Sequence, residues 1–157
     1  ASALVSLVSN SWQRLTFEQR YELRTFALDV LASRSETDVA PLPPYVVDSL
    51  ISLLCRITKL AWCEDYRHHS TVDDATRFLT GNPLQRHIAL RIFSQLIDDM
   101  QRHFPATSND RLTWILFRDI ALHDIFKRTL ALLRSAQSAV CAAAPSPGFS
   151  GASSALD

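Results

Sequence analysis

Glycine is nearly absent from this chain of 157 residues, which carries only Gly81, Gly148 and Gly151. A phosphate-cradling loop of the G-x-G-x-x-G or G-x-x-x-x-G-K type needs glycines clustered where the backbone must approach the phosphate. No such cluster exists, so a P-loop or Rossmann nucleotide site is excluded. Cysteine is as scarce, with Cys55, Cys63 and Cys141 and no C-x-x-C pair. An odd, sparse count without a disulfide framework suits a reducing compartment. There is no N-x-S/T sequon. An excess of either charge is missing too, because 16 Lys plus Arg stand against 16 Asp plus Glu. A general nucleic-acid binder would show a basic surplus. No stretch of the length a membrane span requires is free of charge and convincingly apolar, so no membrane insertion is expected. The start, Ala1 to Val5, has neither Met nor a basic segment; it reads as no signal peptide and as a chain cut from something longer.

What is present is the composition of a folded chain, 47% hydrophobic and 20% charged. Proline is concentrated: Pro41, Pro43, Pro44, Pro145 and Pro147 account for five of seven. The intervals between them are free of breakers, and their apolar residues recur at helical spacing with no sustained period-two alternation. The fold class is all-α.

The first helix spans about residues 3–12. Thr16 caps a second, with Gln19 completing a capping box, and its expected buried stripe is Leu23, Phe26, Ala27, Val30 and Leu31. Residues 34–43 read as a polar, proline-ended loop. A third helix, about 44–63, starts with Pro44 at a position where a missing N–H costs nothing. Its core face is Val46, Leu50, Leu53, Leu54, Ile57 and Leu60, with Asp48, Ser52, Arg56 and Lys59 opposite. A short helix at about 71–80 has Asp73 and Asp74 in its first turn, where carboxylates suit the helix dipole, and Gly81 as its C′ residue. Asn82-Pro83 opens a fifth helix, about 83–103, burying Ala89, Ile92, Phe93, Leu96 and Met100. One or two helices cover about 110–142 with the stripe Leu122, Ile125, Phe126, Leu133, Ala136 and Val140. The expected organisation is one helical segment, 1–143, followed by a flexible Pro/Ser/Gly/Ala tail, 144–157. Helices with wide apolar faces joined by short loops are what stacked hairpins require, since each hairpin needs neighbours to cover it. About three such hairpins fit the length.

Catalytic chemistry finds little support. Cys63, His68 and His69 are zinc-competent residue types, but their spacing matches no common zinc pattern. Asp73-Asp74 and Asp98-Asp99 are sequence neighbours, which point about 100° apart on a helix and do not converge on one substrate. His87, His103 and His123 stand singly, and no serine sits in a nucleophile elbow. The expectation is a protein without catalytic, cofactor or metal sites. Trp12, Trp62 and Trp114 each lie near a helix end, where an indole can pack inward and bond its N–H to solvent or backbone. The mixed-sign stripes Asp48, Ser52, Arg56, Lys59 and Arg91, Gln95, Asp98, Arg102 are the candidate partner-binding residues. In a stack of hairpins they would line one surface together.

The stretch from Ser9 to Arg24, SNSWQRLTFEQRYELR, closely resembles the N-terminal region of the exportin-7 family of Ran-binding nuclear transport receptors, within the importin-β (karyopherin) superfamily. Cys55 to Leu60 followed by Trp62, Thr76 to Leu79, Ser94 to Leu96, and Phe117-Arg118-Asp119 with Asp124-Ile125-Phe126 fit in order. The resemblance covers about residues 9–133. It implies a HEAT-repeat solenoid that binds the GTPase Ran in its GTP form, carries protein cargo past nucleoporins, and moves between nucleus and cytoplasm. It also implies that helices near 1–12, 44–63 and 83–103 lie on the inner side, and those near 16–33 and 71–80 on the outer. Whole receptors of this kind are several times longer, which makes this chain a fragment. The residues alone are also compatible with a generic helical-repeat interaction scaffold.

Overall fold

The computed structural model describes residues 3–33, 42–101 and 108–143. Among them every regular element is helical: α1 Ala3–Ser11, α2 Phe17–Ser33, α3 Pro44–Ala61, α4 Thr71–Arg77, α5 Pro83–Gln101, α6 Ser108–Phe117 and α7 His123–Ala143. A single π turn, Arg118–Leu122, joins α6 to α7 without a break, so the two act as one long helix. The residues of the expected loop at 34–41 and of the tail at 144–157 lie outside the described ones.

Cross-helix contacts establish the layering. Asp48 pairs with Arg91, the Cys55 thiol donates to the Ile92 carbonyl at 3.6 Å, and the Lys59 ammonium donates to the Asp99 carbonyl at 2.6 Å. Residue numbers rise together along both helices, so α3 and α5 run parallel. The same holds for α1 and α3, where Arg56 donates to Ser9 Oγ at 2.9 Å and Trp12 to Glu64 at 3.4 Å. On the other side, Arg20 of α2 bonds Glu64 while Arg24, one turn on, bonds Ser70, Thr71 and Asp74, so α2 and α4 run parallel. Cys63 meets Thr113 at 3.1 Å and Arg128 meets Asp73 at 3.0 Å, so α6–α7 follows the direction of α4. The result is three stacked hairpins, α1/α2, α3/α4 and α5/α6–α7. One layer is α1, α3, α5 and the other α2, α4, α6–α7. The chain is an all-α helical-repeat segment.

The core runs through the middle of this stack. Leu54, Ile92, Leu96 and Phe117 are completely buried, and Trp62 is 1% exposed. Burial of each such side chain stabilises by about 1.5–3 kcal/mol. A smaller cluster of Val8, Trp12, Leu53, Ile57 and Ala61 fastens α1 to α3. The expected capping box at α2 forms: Gln19 N–H donates to Thr16 Oγ1 at 3.2 Å and Thr16 N–H to Gln19 Oε1 at 3.0 Å. At α5, Gln85 N–H donates to Asn82 Oδ1 at 2.9 Å and Asn82 N–H to Gln85 Oε1 at 3.1 Å.

Gly81 ends the helical run as expected, with φ −83°. Its value is space, because a Cβ there would lie 1.7 Å from Gln85 Oε1. Phe26, expected in the core, is 60% exposed; the turn of α2 that carries it faces away from α3 and α4. Phe126, Leu133 and Val140 are likewise exposed, at 63%, 64% and 71%, since only Ile125 on that helix is inside. Ala136 is also exposed.

Candidate functional site

The proposed stripes belong to α3 and α5, and parallel packing brings these helices side by side. Of the first stripe, Asp48 is exposed and ion-paired to Arg91 of the second stripe. Ser52 and Arg56 are half-buried, with the Arg56 guanidinium reaching back to Ser9 of α1. Lys59 departs from expectation. It is 6% exposed, and its ammonium bonds the Asp99 carbonyl near the end of α5. The side chain is buried and its head satisfies a carbonyl of the last helical turn, so Lys59 ties α3 to α5 and presents no open charge. In the second stripe Gln95 donates to Asp99 Oδ1 at 3.0 Å, and Asp98 is exposed. Arg102 lies outside the described residues. The structure therefore collects Asp48, Ser52, Arg56, Arg91, Gln95 and Asp98 on the layer formed by α1, α3 and α5. They make a polar surface of balanced charge.

The residues with metal- or acid-base-competent side chains are put to other uses. Cys63 lies against Thr113 as above, and His69 Nε2 is 2.9 Å from the Trp62 carbonyl with its ring tilted over the Trp62 indole. Asp73 pairs with Arg128 and Asp74 with Arg24. His68 is completely buried, edge-on to Tyr21, with neither ring nitrogen hydrogen-bonded among the described residues. Burial lowers its pKa to about 4 despite the nearby Asp65 carboxylate, so this imidazole is neutral at pH 7. Of the tryptophans, Trp12 bonds the Glu64 carboxylate, whereas the Trp62 indole N–H is buried without a partner among the described residues.

Sequence reasoning missed the densest polar feature, an arginine array between α2 and the turn that joins α3 to α4. Arg20 lies 4.3 Å from the Trp12 ring centre and 5.2 Å from that of Phe17, and donates to Glu64 at 2.5 Å and to the Trp12 carbonyl at 2.8 Å. One turn on, Arg24 bonds Thr71, Ser70 and Asp74. Arg67 forks between Asp65 and Glu18 and sits 4.9 Å from the centre of the Tyr21 ring. Its guanidinium holds the Asp65 carboxyl below the usual carboxylate range. The signal was available in the i, i+4 spacing of Arg20 and Arg24 with aromatic residues interleaved. These contacts fasten α2 to the following hairpin, and they leave few donors free for a ligand.

Comparison with known proteins adds what geometry alone does not. The chain is 35% identical over 143 residues to exportin-7-A of Xenopus laevis, a match covering 87% of this chain and 13% of that protein. It is 31% identical over 146 residues to Ran-binding protein 16 of Drosophila melanogaster, covering 87% of this chain and 12% of the relative. With Ran-binding protein 17 of Homo sapiens it shares 30% identity over 139 residues, 85% of this chain and 12% of that one. The chain thus spans only 12–13% of the length of these relatives. No family model matches it, and no solved structure matches it.

Proposed function

As the chain belongs with the exportin-7 and Ran-binding protein 16 and 17 relatives, we propose that it works as a segment of a nuclear transport receptor. In this reading it contributes to binding Ran in its GTP form, to the passage of protein cargo through nuclear pores, and to contact with nucleoporins. Its place of work is the nucleus, the cytoplasm and the pore between them. The role is non-catalytic: GTP is Ran's ligand, and this chain holds no nucleotide, cofactor or metal of its own.

The observation that carries the reading is the similarity over 87% of the chain to proteins named as an exportin and a Ran-binding protein. The parallel layer α1, α3, α5 supports it, because a stack of hairpins offers each layer as a continuous surface to a folded partner. Arg56, Ser52, Gln95 and Asp98 and the Asp48–Arg91 pair are the contact residues we assign to that surface. Lys59 acts there only by holding α3 against α5. We assign residues 1–143 to the repeat segment and 144–157 to a tail.

Titration calorimetry against Ran loaded with a non-hydrolysable GTP analogue, with Ran·GDP alongside, tests this. Selective heat with the GTP form, reduced at least tenfold by Arg56→Glu, is the expected result. Equal or absent binding, with the helical circular dichroism intact, would reduce the segment to an interaction scaffold.

A further inference from the structure

The junction between the second and third hairpins carries positive charge that the stack leaves largely unpaired. No Asp or Glu occurs from residue 75 to residue 97, a stretch that holds Arg77, Arg86 and Arg91. Arg91 is paired with Asp48. The Arg77 side chain is 80% exposed and reaches only Asp74, at 3.6 Å, a carboxylate that Arg24 already holds. Arg86 is exposed and donates through Nε to the Gly81 carbonyl at 2.9 Å. Its two terminal nitrogens have no partner among the described residues.

Thr80 stands between these two arginines. It is exposed, and its hydroxyl donates to the Arg77 carbonyl at 2.8 Å. Arg77 precedes it by three residues, and side chains at that spacing share one side of a 3₁₀ turn. An arginine three residues before a hydroxyl is the charge pattern that arginine-directed serine/threonine kinases read with carboxylates of their own. The same spacing recurs at Arg67–Ser70 and Arg91–Ser94, and at Arg34–Thr37 outside the described residues. Ser70 is half-buried and bonded to Arg24 and Asp74. Ser94 lies in the middle of α5, where the backbone cannot straighten without breaking the helix. Thr80 instead ends a short 3₁₀ turn, and Gly81 after it is already extended, with ψ −160°.

We propose that Thr80 is a phosphorylation site for an arginine-directed kinase using Mg·ATP, and that its phosphate then links Arg77 to Arg86. In the transfer the Thr80 oxygen bonds the γ-phosphorus, the bond to ADP breaks, and the hydroxyl proton passes to the kinase's base. The phosphate brings a charge of about −1.5 to −2 and three acceptor oxygens. One neutral hydrogen bond to the Arg77 carbonyl gives way to charge-assisted bonds, each roughly twice as strong. Helix ends do not decide the balance. The C-terminal end of α4 opposes a negative charge as the N-terminal end of α5 favours it, each within about one turn. The two guanidiniums decide it. Arg77 ends α4 and Arg86 lies on α5, so the modification stiffens the joint between successive hairpins. The inference does not depend on Ran binding.

Incubation of the intact folded chain with an arginine-directed serine/threonine kinase and Mg·ATP tests it, with the site mapped by peptide mass spectrometry. The expected result is a phosphoryl group on Thr80, incorporated at least tenfold more slowly in Arg77→Ala and absent from this position in Thr80→Val. The modified chain should unfold at a higher temperature than the unmodified one. That rise should be lost in Arg86→Ala, whose exposed side chain is not needed for folding, and should shrink as salt is added. A free peptide of residues 75–85 serves as the control for access. If the peptide is modified and the folded chain is not, the fold hides Thr80 and the proposal is overturned. Failure of both to react overturns it as well, as does a modified chain whose unfolding temperature falls or responds equally with and without Arg86.

Discussion

The guanidinium of Arg24 on α2 is held against the carboxylate of Asp74 on α4, with 2% of the arginine side chain exposed. The same group also bonds Thr71 and Ser70 at 2.9 Å, so one charge joins α2 and α4, helices of two successive hairpins. Removing a partner from a buried pair leaves the other charge uncompensated. Arg24→Ala is expected to lower unfolding stability in urea by about 3–5 kcal/mol. Arg24→Met costs less because it fills the buried volume that alanine leaves empty; Asp74 keeps Arg77 at 3.6 Å in either variant.

His68 makes stability depend on pH in a defined window. Its folded pKa of about 4 lies below the ordinary value of 6.5 because burial disfavours the imidazolium. Between those two values the unfolded chain therefore binds a proton that the folded chain does not. The stabilisation is complete above pH 6.5 and falls as the pH drops toward 4, by about 3 kcal/mol in all. Asp65, held low by Arg67, loses its contribution only below the normal carboxylate range. Urea midpoints at pH 7, 6, 5 and 4.5 should thus slope in the native chain and flatten, relative to it, in His68→Leu.

The contact between Gly81 and Gln85 predicts a non-additive pair. A Cβ at Gly81 forces the Gln85 amide out of its bond with the Asn82 N–H. Gly81→Ala and Gln85→Ala should each cost about 1 kcal/mol, a typical cap value. The double variant should cost little more than either single one, as read from thermal unfolding.

The ion pair of Asp48 with Arg91 is a surface contact, with 50% and 39% of the two side chains exposed. A double-mutant cycle with alanine at both positions should return a coupling of about 1 kcal/mol or less, decreasing as salt is added. The fully buried Ile92 one residue further on makes the contrast. Ile92→Ala should cost about 2–5 kcal/mol regardless of salt.

Helix identity and capping were legible because both are local. Thr16 and Gln19 meet within one turn of their own helix, and Asn82 starts α5 directly before Pro83, so residue order suffices to place them. The core faces of α3 and α5 were legible for a related reason. Leu54, Ile57, Ile92 and Leu96 sit on helices covered on several sides, where periodicity and burial coincide. The candidate surface was half legible. Asp48, Arg56, Arg91, Gln95 and Asp98 could be placed on polar faces, but nothing in their spacing tells that Lys59 is drawn inward to a carbonyl 40 residues away.

The sequence by itself determined the all-α class, the lengths of the helices and the residues that start them, since 3.6-residue periodicity and end-capping act over a few residues. It also carried the kinship with the exportin-7 and Ran-binding protein relatives, because identity is a property of residue order. Only the tertiary structure decided which apolar faces are covered. Phe26, Leu133 and Val140 carry the same helical periodicity as Leu54, yet they stay exposed because no helix among the described residues lies against them. The arginine array was decided there too, since Arg20, Arg24 and Arg67 find Glu64, Asp74 and Glu18 only once parallel stacking brings segments 44 to 50 residues apart within hydrogen-bond reach.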